Sequence, residues 1–310
     1  MIKIFLKFFL FLFAAFLSCK NGNDTKNKKQ VIVYLPQKNP ADSSIKTDTA
    51  NFKYDLKIPN HTWKLPADLI EVSGNTWMDT NHLILIEDLH PNLYYIKIDD
   101  KNAVLEKKVS FAKDDKEKFD IEDVTYVNNT VYALWSHGVI FRITNWQTKP
   151  IVEKIKTFLK KENNAEGLCY DPVTRNLLIA CKGAPGVLNE KKSTKAVYQF
   201  DMLKDKLIDQ PFLLIRKKDF ETVTDEKLDF FPSAIAVHPV THDLYLLSTR
   251  DNKCMAVFSH DGILKTLQFI DKDMMQQPEG ICFSPEGKLY ISSEGKKGEP
   301  GNLFEFDVTK

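Results

Sequence analysis

The chain has 310 residues, 43 of them Lys or Arg and 42 Asp or Glu, and 43% are hydrophobic. That is enough apolar material for one sizeable core, and a net charge of +1 with both signs interspersed excludes the basic stripe that nucleic-acid binding requires. No P-loop, Gly-x-Ser-x-Gly or His-Glu-x-x-His sequence occurs, so the sequence names no catalytic nucleophile or base.

The first element is an apolar run from Ile4 to Leu17, flanked by Lys3 and interrupted by Lys7. About fourteen helical residues cover only ~21 Å, too short for a bilayer core. The run therefore reads as a signal segment, residues 1–18, rather than a spanning helix. Its end, Phe16-Leu17-Ser18-Cys19, resembles a bacterial lipoprotein signal; a plain secretory signal and an uncleaved anchor are the other readings. The resemblance implies acylation of Cys19 and attachment to the inner or outer membrane of a bacterial cell envelope. Residues 19–51 carry no sustained hydrophobic period, apart from Val31 to Leu35, and read as a flexible tether.

From residue 52 to 310 one phrase recurs: Ser73-Gly74-Asn75-Thr76-Trp77, Glu122-Asp123-Val124-Thr125-Tyr126, Glu166-Gly167-Leu168-Cys169-Tyr170, Ser233-Ala234-Ile235-Ala236-Val237 and Glu279-Gly280-Ile281-Cys282-Phe283. Each is followed by a turn and a short apolar run: Leu83 to Ile86, Val131 to Trp135, Leu177 to Ala180, Leu244 to Ser248 and Leu289 to Ser293. A third β-rich run follows in every unit. Asp171-Pro172, His238-Pro239 and Ser284-Pro285 mark the same turn in three units. Repetition at this period predicts an all-β fold, a β-propeller of five four-stranded blades. A sixth blade would need a cryptic unit between units three and four, where Gly183 to Thr194 and Arg216 to Asp229 read as insertions, the second part helical. The last unit ends one strand short. The alternating segment Phe52 to Ile58 is expected to supply that strand and close the ring, because an open edge invites aggregation. Cys169 and Cys282 hold equivalent strand positions and read as small buried hydrophobes, with a Cys169–Cys181 disulfide as the alternative.

If each phrase begins an innermost strand, the heads Ser73, Glu122, Glu166, Ser233 and Glu279 face one channel mouth. Second-strand ends add Asp88, Trp135, His137, Lys182, Arg250 and Glu294, and Glu71 stands just ahead of its head. Three readings of this acidic funnel stay open. Glu122, Glu166 and Glu279 supply oxygens to a hard cation such as Ca²⁺, which takes six to eight of them. Or the acids are structural and accept backbone amides of the next blade. Or the funnel holds an organic ligand, with Trp135 as a stacking wall and Lys182 and Arg250 meeting an anion.

The phrases Glu71-Val-Ser-Gly, Ile121-Glu-Asp-Val, Asn164-Ala-Glu-Gly-Leu-Cys-Tyr-Asp-Pro172, Pro232-Ser-Ala-Ile-Ala and Gln277-Pro-Glu-Gly-Ile, with Leu289-Tyr-Ile-Ser-Ser-Glu294, resemble those of the SdiA-regulated (YjiK-like) β-propeller family. The resemblance runs from about Leu65 to Phe306 and implies a propeller, here in lipoprotein form, without a settled activity. A more distant similarity to lactonase and phosphotriesterase propellers implies an axial Ca²⁺ at Glu122, Glu166 and Glu279. The expectation is a monomeric, lipid-anchored envelope propeller that binds a small molecule or protein at the acidic mouth. A metal-dependent hydrolase of a lactone or phosphoester and a purely structural envelope protein are the alternatives.

Overall fold

The computed structural model describes residues 54–113, 118–221, 223, 224, 228–296 and 298–309. The signal segment, Cys19 and the tether lie outside the described residues. Strand β1 (His61–Lys64) comes first in the chain but belongs to the last blade. Blade one is β2 (Val72–Asp79), β3 (His82–Glu87), β4 (Asn92–Ile98) and β5 (Ala103–Ser110). Blade two is β6 (Ile121–Val127), β7 (Thr130–Trp135), β8 (Val139–Thr144) and β9 (Ile151–Lys156). Blade three is β10 (Ala165–Asp171), β11 (Asn176–Cys181) and β12 (Lys195–Asp201), with its outer edge in two pieces, β13 (Lys206–Leu207) and β14 (Leu213–Ile215). A short helix α1 (Lys217–Phe220) follows, as expected of the charged insertion. Blade four is β15 (Pro232–Val237), β16 (Leu244–Ser248), β17 (Cys254–Phe258) and β18 (Leu264–Phe269). Blade five is β19 (Pro278–Phe283), β20 (Leu289–Ser293) and β21 (Asn302–Phe306), closed by β1.

The repeated phrases form the five innermost strands, and these contact one another in a closed cycle: β2 on β6, β6 on β10, β10 on β15, β15 on β19 and β19 on β2. All five sheets among the described residues are antiparallel, and none is a sixth blade. The second strands are apolar throughout because both faces are buried. On β3, Ile84 and Ile86 face blade two, while Leu83 and Leu85 face blade five. Period-two alternation therefore feeds two interfaces rather than one core and one solvent face. One hydrophobic cluster fills each of the five interfaces.

In blades three, four and five the turn after the inner strand is held by its first side chain. Asp171 accepts the amide of Val173, His238 Nδ1 accepts those of Val240 and Thr241, and Ser284 accepts that of Lys288. The Pro that follows cannot donate, so the side chain satisfies the amides beyond it.

One expectation needs correction. The closing strand does come from the N-terminal side, but it is His61–Lys64, paired with Asn302 to Glu305, and not Phe52 to Ile58. Phe52 lies outside the described residues. Of the rest, Tyr54 and Leu56 are buried among Tyr245, Ile281 and Phe306, whereas Ile58 is 71% exposed. Asp55 turns the chain by accepting the amide of Lys57 on its side chain and that of Ile58 on its carbonyl, so the alternation plugs a blade interface instead of making a ladder. Cys169 and Cys282 are buried as expected, and the alternative Cys169–Cys181 disulfide does not form: both thiols are free, since Cys169 pairs with Leu178 and Cys181 with Ala165 at opposite ends of one hairpin.

Candidate functional site

Every innermost strand carries a β-bulge at the same place. The ladder skips one residue between Val72 and Gly74, Ile121 and Asp123, Ala165 and Gly167, Pro232 and Ala234, and Pro278 and Gly280. The residues skipped are the five heads, Ser73, Glu122, Glu166, Ser233 and Glu279. A bulge frees a side chain from the pleat and re-aims it.

The heads divide by chemistry. Ser73 Oγ donates to the Ile121 carbonyl at 2.7 Å, and Ser233 Oγ to the Pro278 carbonyl at 3.2 Å. Both are buried and tie their blade to the next, so Ser73 is an inter-blade staple. Ionised glutamates cannot donate to a carbonyl, and the three Glu heads stay at the mouth. The structural task foreseen for them falls to Asp123. It is fully buried and accepts the amides of Val124 at 2.8 Å and of Leu168, in blade three, at 2.7 Å. Its slot holds Gly74, Gly167, Ala234 and Gly280 in the other blades, and Cys169 and Cys282 beyond it both feel its charge.

The mouth gathers acids from four blades, one, two, three and five. Burial raises the carboxyl of Glu122, and Glu166, Asp120 and Glu279 raise it further while Lys182 opposes them. Glu279 is raised by burial and by Glu294, with which it shares a hydrogen bond. Glu294 is itself raised by burial, against hydrogen bonds from Glu279 and Gln277. Asp88 is pushed up to about 7 by burial first, then by Glu71, Glu87, Glu294 and Asp120. Lys182 Nζ is 2.9 Å from Glu166 Oε2, and Asn164 Nδ2 donates to Glu166 Oε1. Burial works against the charge of Lys182, but Glu166, Glu279 and Glu122 keep its amine above the ordinary range. One lysine thus lies among Glu122, Glu166, Glu279 and Glu294, and Glu71, Asp88 and Asp120 are in turn coupled to those acids. Asp88 Oδ1 and Trp135 Nε1 are both buried without a hydrogen-bond partner.

The remaining expected residues make ring contacts. Trp135 and His137 stack on each other with centroids 5.2 Å apart, and Trp135 leans on Phe119. Arg250 lies over the Phe231 ring at 5.1 Å, with Lys195 Nζ at 4.6 Å from the same ring. Lys195 is nearly buried and donates to the carbonyls of Lys182 and Gly183. Sequence reasoning missed Asp120, Asn164, Phe231 and Gln277, each immediately ahead of an inner strand. Their signal was position alone: Glu71 occupies the same place in blade one.

Raised carboxyls bind protons more readily in the folded chain than in the unfolded one. Their contribution is full below the ordinary carboxylate range and is lost as pH rises through Asp88's value of about 7. In chelator, the melting temperature is expected to rise as pH falls from 8 to 5.5, and the combined Asp88→Asn and Glu122→Gln variant should flatten that slope. An unaltered slope in the variant would show that these acids are not the source.

The fold and mouth define a class: a five-bladed propeller with bulged inner strands and an acidic axial opening. The SdiA-regulated family model matches residues 51–304, and the chain belongs to that family. No curated protein matches the sequence. Among solved structures, the glutaminyl cyclase of Myxococcus xanthus is similar at a TM-score of 0.55 and 12% identity, covering 82% of this chain and 97% of that one. The PQQ-bound aldose sugar dehydrogenase of Streptomyces coelicolor gives 0.49 and 10%, covering 81% and 98%. A streptogramin B lyase gives 0.43 and 9%, covering 81% and 73%. The first likeness is one of fold.

Proposed function

We propose that this chain is a lipid-anchored cell-envelope propeller that binds a cationic ligand at its acidic mouth, with Ca²⁺ as the cation its donors suit. The observation that carries the reading is the charge imbalance: the bulges of three blades carry Glu122, Glu166 and Glu279, and among the described residues the amine recorded against all three is that of Lys182. Holding carboxylates in that state costs stability unless protons or a cation relieve it. The scaffold does not need the Glu heads, because Ser73, Ser233 and Asp123 already tie the blades together. The unpartnered Asp88 Oδ1 adds an acceptor facing the same acids.

The donor chemistry fits a hard ion, being oxygen only. Among the described residues no three acidic, His or Cys side chains already stand together as a metal cage. Ca²⁺ would be held by Glu122, Glu166 and Glu279, and its binding would release Lys182 from Glu166. The anchor would be acylated Cys19, tethering a monomeric domain outside the inner membrane.

The test is Ca²⁺ titration of the chelator-stripped protein at pH 7.5. At a hundredfold excess over Kd a ligand contributes about 2.7 kcal/mol, a rise of about 6 °C in melting temperature for a domain of this size. Glu122→Gln and Glu279→Gln should each remove most of the rise. No shift with Ca²⁺ and a clear one with spermidine would assign the mouth to organic cations. Silence to both would overturn the proposal.

A further inference from the structure

The axis has a second mouth, formed where the inner strands end. Here the fifth residue of each phrase returns at equivalent positions: Trp77, Tyr126, Tyr170, Val237 and Phe283. Together with their neighbours they line a recess of about 430 Å³, to which all five blades contribute. That volume lies within the range of small-molecule sites, which are aromatic-walled with a few placed polar groups.

Three of the rings are fixed from behind. Trp77 stacks on Tyr290 with centroids 4.9 Å apart. Phe283 is wedged among Tyr54, His238 and Tyr245. Tyr126 is pinned by its hydroxyl bond to Asn129. The recess is therefore largely organised before any ligand arrives.

Its chemistry narrows the ligand. No lining residue is charged, so an ion would find no partner. Yet the recess is not merely apolar. Thr125 lines it, is only 6% exposed, and its hydroxyl has no hydrogen-bond partner among the described residues. Its counterpart Thr76 accepts the amide of Tyr126 at 3.2 Å. Partly buried Tyr170 and exposed Asn128 add further polar ends to the lining. An apolar ligand would strand these groups, and a stranded buried polar group is costly. What satisfies flat aromatic walls and these polar ends together is a neutral ring with apolar C–H faces and a hydroxyl rim. We infer that this second mouth is a binding site for a neutral saccharide, independent of the acidic one.

The test uses the full chain in a detergent without sugar headgroups. Isothermal titration and saturation-transfer NMR are run with methyl glucoside, methyl galactoside, N-acetylglucosamine, maltose and cellobiose. At least one is expected to bind with a Kd of about 1 mM. Thr125→Val should raise that Kd about fivefold, the loss of one hydrogen bond, and Tyr170→Ala should do so at least as strongly. Glu122→Gln should leave it unchanged. Melting curves of each variant confirm that the fold persists. No binding of any of these sugars at about 50 mM would overturn the inference, well above the affinity expected of a built site. So would binding that survives Thr125→Val and Tyr170→Ala together, or that is lost in Glu122→Gln instead.

Discussion

Gly280→Val is expected to lower the melting temperature by about 10 °C or more, the effect of a loss near 4 kcal/mol in a domain of this size. A Cβ on Gly280 would overlap Ser292 Oγ, and would stand 2.9 Å from Asn75 Nδ2 and 3.0 Å from Asn75 N. The last of these is backbone of the neighbouring blade and cannot rotate away. Overpacking there forces β19 and β2 apart at the axis, where the ring closes. The same slot in blade four holds Ala234, buried and accommodated. Ala234→Gly is therefore a fair control, expected to cost only about 1 kcal/mol through backbone freedom. Differential scanning fluorimetry of the two variants decides the matter. Equal, small shifts would mean that the slot is not sterically closed.

Trp63→Ala is expected to cost about 3–5 kcal/mol, the usual range for removing a large buried aromatic. Trp63 is 4% exposed, stacks on His61, and donates from Nε1 to the Asp99 carbonyl at 2.7 Å. It thus locks the closing strand of blade five onto blade one. Hydrogen exchange should show β21 losing protection first, because β1 is its only outer neighbour. Ile58→Asp should leave urea midpoint and exchange unchanged, since that side chain points to solvent. The opposite ranking of the two variants would restore Phe52 to Ile58 as the closure.

The contrast between these segments shows where the sequence was legible. Phe52 to Ile58 and His61 to Lys64 are both short and partly alternating. Period two predicts a strand for either, and only the position of the β21 edge selects one. The Glu heads were legible because repetition marks them. Their bulges were not, since an extra residue in one strand is defined only against its partner. Asp123 was hidden for a similar reason: read along the chain it replaces a glycine, and its value lies in an amide 45 residues away on β10. Trp77, Tyr126, Tyr170 and Phe283 read as ordinary core aromatics, and become walls of a recess only when five strands end around one axis.

The sequence alone determined the all-β propeller, its five modules and the ring of acidic heads. Local alternation, turn residues and a repeated phrase are properties of the chain itself. Tertiary structure decided which strand closes the ring, which heads staple blades and which face the axis, and that the axis opens into two chemically unlike mouths. Those outcomes depend on contacts between residues far apart in the chain, where hydrogen-bond partners and burial are set by the neighbouring blade.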